Sequence, residues 1–581
     1  RIVVLSSLIC FILDRLQRKR KLRYVVGAVV FSERGTQVKA DQSKAEFDAV
    51  VVGAGFSGMY MLYKLRNQGF SVKVLESGDD VGGTWYWNRY PGARCDVPSM
   101  EYSFSFSEEL QSEWAWSEVM AGQPEILDYA NHIADRFDLR RDIQFNTKVT
   151  SARFDEKIGV WTVSTESGED LTGRFCVMAT GCLSMPNTPV IEGADQFSGD
   201  IFHTGFWPKE GVDFSKRRVG IIGTGSSGIQ AIPVIAETAE HLTVFQRTPN
   251  YTMPAYNKPL TEEFRQKAIS NYPEIRREQR ESIAGIVGYG FGFGGAENIE
   301  PEDQILNTTA EEREKLVEAE GFAAIRRYLD VQIDAEANEL ACEMYRSQVS
   351  KVIEDPEVAE KLMPRGYPIG CKRPVIDTNY YETYNKQNVT LVDLRQGGIE
   401  RIAANGVQTA QGFYEFDTLI YATGFDAMTG ALERIDIEGR SGCKLKDYWS
   451  AGPRTYLGLQ ISGFPNFFTI TGPGSPSVLS NMLVSIEQHV DWLAELITYM
   501  TDHQYSTIET SSAVEDEWIA HVNEVAQGTM FTAKSCNSWY LGANIPGKPR
   551  IFMPYVGGVG EYRKKCDEVA AAGYEGFLLR A

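Results

Sequence analysis

Apolar positions along this chain fall into short runs and helical stripes, and their order outlines the architecture. Ala49 to Val52 is an apolar run that leads straight into Gly53-x-Gly55-x-x-Gly58. The following MYMLYKLRNQG places apolar residues at helical spacing and ends at Gly69. SVKVLE then reads as a second strand closing at Glu76. The same grammar returns at Arg218 to Ile222, Gly223-x-Gly225-x-x-Gly228, a helix through Ala239 and the strand LTVFQ. Between the two units, WTVSTESGEDLTGRFCVMATG alternates as strands do and ends at Ala179-Thr180-Gly181. Its echo, FDTLIYATGFD, ends at Ala422-Thr423-Gly424. Both predict strands that deliver the chain to a glycine turn at a domain junction. Residues 255–370 break this rhythm, being rich in Glu, Arg and Ala, with helical spacing in AEEREKLVEAEGFAAIRRYLDVQI. They predict a helical insertion within the second unit, in which the glycine-rich stretch 285–295 is a loop.

Glycine turns between a strand and a helix have a specific use. Three glycines allow a tight turn, close approach of backbone to a pyrophosphate and close helix-to-strand packing, while the helix N-terminus offers unpaired N–H groups to the phosphate charge. In the first unit Glu76 ends the second strand 18 residues after Gly58, where a carboxylate accepts hydrogen bonds from ribose hydroxyls. In the second unit the equivalent position, 19 residues after Gly228, is Arg247. A cation there suits a 2′-phosphate, so the second site is expected to take NADPH, with Ser226 and Thr248 flanking it. The first site then needs a partner that exchanges hydride with NADPH, and FAD is the economical choice. Gly82-Gly83, soon after Glu76, supplies a second turn that exposes backbone. The expected fold is α/β, with two Rossmann-like dinucleotide-binding domains and a helical insertion. Its segments are a tail (1–45), the FAD domain (46–186), the NADP domain (187–254), the insertion (255–370), the NADP domain resumed (371–425), and the FAD domain resumed with a C-terminal loop (426–581).

Composition narrows the partners. The 581 residues suffice for about four folding units. With Lys plus Arg at 58 against Asp plus Glu at 78, the formal charge of −20 repels nucleic-acid phosphates, so no nucleic-acid partner is expected. The nine cysteines are scattered without a CxxC pair, and the six histidines form no HExxH or His/Cys cluster. The expectation is a reducing, cytoplasmic setting, with no disulfide framework and no protein-bound metal. Ile2 to Leu13 is apolar but shorter than the roughly 20 residues of a membrane span, and the basic RLQRKRKLR follows it. This segment reads as an artefactual or disordered tail, with a monotopic anchor through residues 1–23 as the alternative.

Flavin chemistry divides on two features. A disulfide reductase needs a redox cysteine pair beside the flavin, and Cys176 and Cys182 flank a strand end instead of opening a helix. An oxygenase needs a fixed positive charge, and Lys372 and Arg373 lie in a loop bounded by proline and glycine, GYPIGCKRP. Arg373 stays protonated at any working pH and presents a planar donor fork; Asp96, in an Arg-Cys-Asp-Val-Pro turn, is placed to orient it.

Phe197-x-Gly199-x-x-x-His203-x-x-x-Trp207-Pro208 resembles the FxGxxxHxxxWP signature of Baeyer-Villiger monooxygenases. Gly82-Gly83-Thr84-Trp85, Tyr90-Pro91-Gly92 and Asp96 resemble that family's GGxWxxxxYPGxxxD. From about residue 46 to 580 the chain is similar to the phenylacetone, steroid and cyclic-ketone branch, including GPGSPSVLSNMLVSIEQH and SWYLGANIPGKPR. The resemblance implies oxygen insertion next to a ketone carbonyl, with NADPH, FAD and O2, through a C4a-peroxyflavin, giving an ester or lactone. It implies Arg373 and Asp96 as catalytic, Lys372 with Arg247 on the 2′-phosphate, His203 and Trp207 coupling the two domains, and Trp539 on the nicotinamide ribose. Gly83, Thr84 and Trp85 are expected at the flavin, and Thr84, Val97, Leu183, Leu479 and Met482 are candidates for the wall of the substrate pocket, with buried packing as the alternative role for each. Cys182 departs from the polar amide often found there in close relatives, and the glycine-rich loop has no obvious counterpart, so substrate preference stays open. The alternatives are a heteroatom oxygenase acting on nitrogen or sulfur, and a redox-sensing scaffold without turnover.

Overall fold

The computed structural model describes residues 45–288 and 304–581. The expected tail, Ala45 aside, and most of the glycine-rich stretch lie outside the described residues.

Each glycine unit seeds a sheet. In the first, β1 (Phe47–Val52) runs into α1 (Phe56–Asn67) and β2 (Val72–Leu75). Val50 and Val51 are buried on opposite faces of β1, as strands covered on both sides require. Burying each such side chain contributes roughly 1.5–3 kcal/mol. β3 (Ile143–Gln144), β4 (Val149–Asp155), β5 (Val160–Thr165) and β6 (Asp170–Met178) extend the sheet, and β1 lies parallel between β2 and β6. β6 is shared: its first half pairs antiparallel with β5, and its second half takes the parallel strand Phe467–Thr469 from far along the chain.

The second unit is β8 (Arg218–Ile222), α2 (Ser226–Thr238) and β9 (His241–Gln246), preceded by β7 (Asp200–His203). With β10 (Val389–Asp393) and β11 (Thr418–Tyr421) they form a parallel five-stranded sheet ordered β10-β9-β8-β11-β7. The strand ending at Ala422-Thr423-Gly424 is therefore central, next to β8. Between them the chain is helical, with helices Glu262–Glu281, Ala310–Glu320 and Ala335–Val352. Thr252–Pro254 pairs parallel with Val375–Asp377, so the two ends of the insertion lie side by side and the sheet closes around it undisturbed.

The C-terminal part returns to the first unit, where Tyr60 of α1 donates to Asp491 of the helix Met482–Asp502 at 2.8 Å. One expectation is corrected here: Cys371 and Cys536 form a disulfide, with Cα atoms 6.3 Å apart and a sequence separation of 165. Sequence clustering is the wrong test for such a pair, because tertiary packing alone brings the two loops together. Among the described residues no helix is long and apolar enough to cross a membrane, and no three His, Cys, Asp or Glu side chains are grouped to hold a metal.

Candidate active site

The two glycine turns are built to one plan. Gly53 has φ +106° and Gly223 φ +113°, and a Cβ on either would meet the carbonyl oxygen of Ala179 at 2.5 Å or of Ala422 at 2.4 Å. The third glycines pack back on the first: a Cβ on Gly58 would lie 1.8 Å from the Gly53 oxygen, and one on Gly228 2.2 Å from the Gly223 oxygen. The ATG segments are thus the floor of each turn. Gly55 approaches Gly83, whereas Gly225 has nothing within 4 Å, leaving open space where a pyrophosphate would lie.

The ends of the second strands differ. Glu76 is buried, and its carboxylate accepts from the N–H of Ala54 at 2.6 Å and of Gly78 at 2.7 Å. Those bonds leave acceptor capacity on both oxygens. Arg247 is exposed and pairs with no described carboxylate. Lys372 lies over the Tyr367 ring at 4.5 Å, and burial, with repulsion from Arg247, pushes its pKa down to about 8. Two cations that repel each other make a site for an anion. Both turns, Glu76, Ser226, Arg247, Thr248 and Lys372 face one cavity of about 2080 Å³, roughly twice the upper size of an ordinary small-molecule pocket of about 1,000 Å³.

Arg373 lines the same cavity as the two turns. Its Nε donates to Asp96 Oδ2 at 2.5 Å, Nη2 to Asp96 Oδ1 at 2.8 Å, and Nη1 to the Val478 carbonyl at 2.8 Å. Burial alone would lower its pKa; the Asp96 carboxylate, with a smaller contribution from Tyr540, outweighs that and raises it. The Tyr540 hydroxyl faces the guanidinium, and burial pushes its own pKa up to about 12.

A profile of the family described as pyridine nucleotide-disulphide oxidoreductase matches residues 50–324, a span that holds both turns. A Baeyer-Villiger monooxygenase of Pseudooceanicola batsensis is 42% identical over 542 residues, which cover 92% of this chain and 96% of the relative. The chain belongs to the Baeyer-Villiger monooxygenases. Among solved structures, an oxidized steroid monooxygenase bound to NADP is 48% identical with a TM-score of 0.85, covering 92% of this chain and 99% of its own. A complex of OTEMO with FAD and NADP is 39% identical with a TM-score of 0.85 and the same coverage.

In this Baeyer-Villiger monooxygenase Thr84, Trp85, Val97, Leu183, Met482 and Trp539 line the cavity. Trp85 is fixed by its Nε1 donating to Tyr102 at 3.1 Å. Leu479 packs in the apolar cluster that also holds Leu183, Met482 and Trp539, and its neighbours Val478 and Ser480 are the residues of its turn that line the cavity. Cys182 faces the cavity too, its thiol held between Thr471 and Ser477. His203 and Trp207 stand outside the cavity. His203 accepts from Gly205 N–H at 2.9 Å through Nδ1 and reaches Thr423 Oγ1 at 3.3 Å through Nε2. Burial holds its pKa down. Trp207 packs on Phe202 and donates its backbone N–H to the Trp87 carbonyl, bridging the two units. A second bridge escaped sequence reasoning: Gln230 of α2 accepts from the Tyr90 hydroxyl at 2.8 Å and donates to the Arg94 carbonyl at 3.1 Å. The YPG turn packs against it, since a Cβ on Gly92 would meet the Gln230 carbonyl at 2.3 Å. Asn544 was also missed; its Nδ2 donates to Phe425, while its buried Oδ1 has no partner.

Proposed function

We propose that this monooxygenase inserts one oxygen atom from O2 next to the carbonyl of a small-molecule ketone, giving an ester or lactone, with FAD at the first glycine turn and NADPH at the second. The observation that carries this reading is Arg373, clamped by Asp96 at the wall of the one cavity that both turns line. The residues fit both nucleotides. Glu76 has acceptors for ribose hydroxyls; Gly225 leaves a cradle that a Cβ would fill; Arg247 and Lys372 offer charge to a 2′-phosphate; the orphaned Asn544 oxygen beside Trp539 suits a carboxamide N–H.

FAD, once reduced by NADPH, supplies the activation of O2. The chain's own part is positional and electrostatic. Of the five N–H groups of Arg373 three are committed, to Asp96 and Val478, and those left face Tyr540 and the cavity. The Asp96 carboxylate holds the planar fork in one orientation, so little reorganisation is needed when an oxyanion develops on the substrate carbonyl. Because the pKa of Arg373 is raised, that charge does not vary with pH. Val97, Leu183 and Met482 give the adjoining wall an apolar surface for a carbon skeleton.

Arg373→Ala tests this reading. NADPH should still bleach the flavin under anaerobic conditions, while ester formation from a ketone panel falls by at least about 10²–10³-fold, the usual cost of an oxyanion donor. Undiminished ester formation would remove Arg373 from the reaction. A wild-type enzyme that converts sulfides or amines but no ketone would replace the ketone reading with heteroatom oxygenation.

A further inference from the structure

The disulfide is not used by the chemistry above, yet its placement is pointed. Cys371 directly precedes Lys372 and Arg373, two of the cations of the site. Cys536 belongs to a strap, residues 528–550, whose only regular structure is two single turns, Met530–Thr532 and Trp539–Leu541. Its sequence neighbours Ser535 and Asn537 both line the cavity, as do Trp539 and Asn544 further along. Within the strap, Arg550 donates to the Cys536 carbonyl at 2.6 Å and the Ala533 carbonyl at 3.0 Å, so the segment around Cys536 holds together as a unit. Met530 N–H is bonded to Gln332, and Tyr540 faces Arg373. These are non-covalent ties; the sulfur bond is the covalent one, and it joins the strap to the loop of the cations. A disulfide between two loops beside a binding cavity can serve as a transient redox element as well as a permanent staple, and in a reducing compartment the transient role is the commoner one.

We propose that Cys371 and Cys536 are a reversible thiol–disulfide site that latches the strap over the NADP(H) side of the cavity; the effect on cofactor rests on the reading given under Proposed function. A dithiol opens the latch by exchange: the Cys371–Cys536 bond breaks, the protein gains two S–H groups, and the dithiol is oxidised to its own disulfide. A hydroperoxide closes it, since two thiols and one hydrogen peroxide give one disulfide and two waters. Both sulfurs are fully buried, so exchange follows lifting of the strap. With the latch closed, Trp539 and Asn544 are held at the cavity wall and the bound nucleotide leaves slowly. With it open, the strap is free to pivot and the nucleotide is lost sooner.

The test uses the flavin-loaded enzyme, treated with diamide or with a dithiol. Alkylation and peptide mass mapping should find Cys371 and Cys536 cross-linked after diamide and both alkylated after dithiol. Proteolysis within residues 528–550 should be several-fold faster after dithiol. The Kd for NADP+ should rise several-fold in parallel. Cys371→Ser and Cys536→Ser should each match the dithiol-treated enzyme and no longer respond to either reagent. Absence of the cross-link after diamide would overturn the proposal. So would a dithiol that lowers only the melting temperature and moves neither strap cleavage nor NADP+ affinity, because that is what a purely structural staple would do. Redox-dependent cleavage of the strap with no NADP+ binding in either state would uphold the latch and sink the nucleotide assignment instead.

Discussion

The two glycine turns of this molecule are near copies, and the contrast lies in what surrounds them. In both, the first glycine touches an alanine carbonyl of an ATG segment and the third glycine touches the first. In both, the first glycine donates its N–H to the end of the second strand, Gly53 to Leu75 and Gly223 to Phe245. The first turn, however, is closed in by protein: Gly55 meets Gly83, and Glu76 is bonded back into the turn through Ala54. The second turn opens on free space, with Arg247 exposed beyond its strand. On the proposed reading, turn geometry takes a dinucleotide pyrophosphate, the residue at the strand end chooses which dinucleotide, and the closer wrapping of the first turn holds its cofactor more firmly than the second holds its own.

The largest effect should come from placing a methyl group in the closed part of a turn. Gly58→Ala sets a Cβ 1.8 Å from a backbone oxygen that cannot step aside. Such overpacking costs more than the usual 1–3 kcal/mol, roughly, for an inserted methylene. The variant should be recovered colourless or insoluble, as absorbance of the bound flavin would report. Gly225→Ala has empty space for its Cβ and an ordinary extended backbone. Its melting temperature should stay within roughly 2 °C of the parent, while the KM for NADPH rises. A Gly225→Ala enzyme with unchanged NADPH kinetics would break the contrast, since the space would then not belong to the nucleotide.

Next in size is the strand-end cation. Arg247→Ala should raise the KM for NADPH by about 10–100-fold, the range expected when hydrogen bonds to a charged group are lost. The KM for NADH should barely move, because NADH lacks the 2′-phosphate. Equal shifts for both nucleotides would show that Arg247 supports the turn and does not read the phosphate.

Much of this was legible along the chain, and the reason is locality. Gly53, Gly58, Gly223 and Gly228 act within a few residues of themselves, so their spacing carries their meaning. Glu76 and Arg247 stand at strand ends that apolar runs announce. The α/β expectation followed from the same runs. Asp96 and Arg373 are 277 residues apart, and only motif resemblance brought them together on paper. The rest depends on contacts that no local pattern encodes. The Val478 carbonyl on Arg373 is a backbone group, silent in any sequence. Gln230 looks like one more polar position on a helix until Tyr90 and Arg94 fold onto it. Leu479 was a candidate for the pocket wall with packing as its other role, and it sits in a 3₁₀ turn whose neighbours Val478 and Ser480 line the cavity. Cys371 and Cys536 belong to loops without periodicity, and their pairing exists only in three dimensions.

The smallest effect sharpens the comparison through pH. Lys372 has its pKa pushed down to about 8, first by burial and then by Arg247, so the free enzyme loses this charge as pH rises through 8. The folded chain binds fewer protons at Lys372 than the unfolded chain between about 8 and the ordinary value of 10.5. Its charge therefore destabilises the free enzyme below pH 8, and the penalty is relieved as pH climbs toward 10.5. A bound 2′-phosphate reverses the preference and draws the proton back. The KM for NADPH should accordingly climb several-fold between about pH 7 and 9.5, with an inflection above 8 once the nucleotide stabilises the cation, while the KM for NADH stays level. Lys372→Arg, which cannot lose its proton in this range, should flatten the NADPH profile. Lys372→Met should raise the melting temperature of the free enzyme at pH 7 while weakening NADPH binding, as a group kept at a cost to folding for the sake of its ligand would. A pH-independent KM in the parent enzyme would mean that Arg247 alone carries the phosphate and that Lys372 is held in place by Tyr367 for packing.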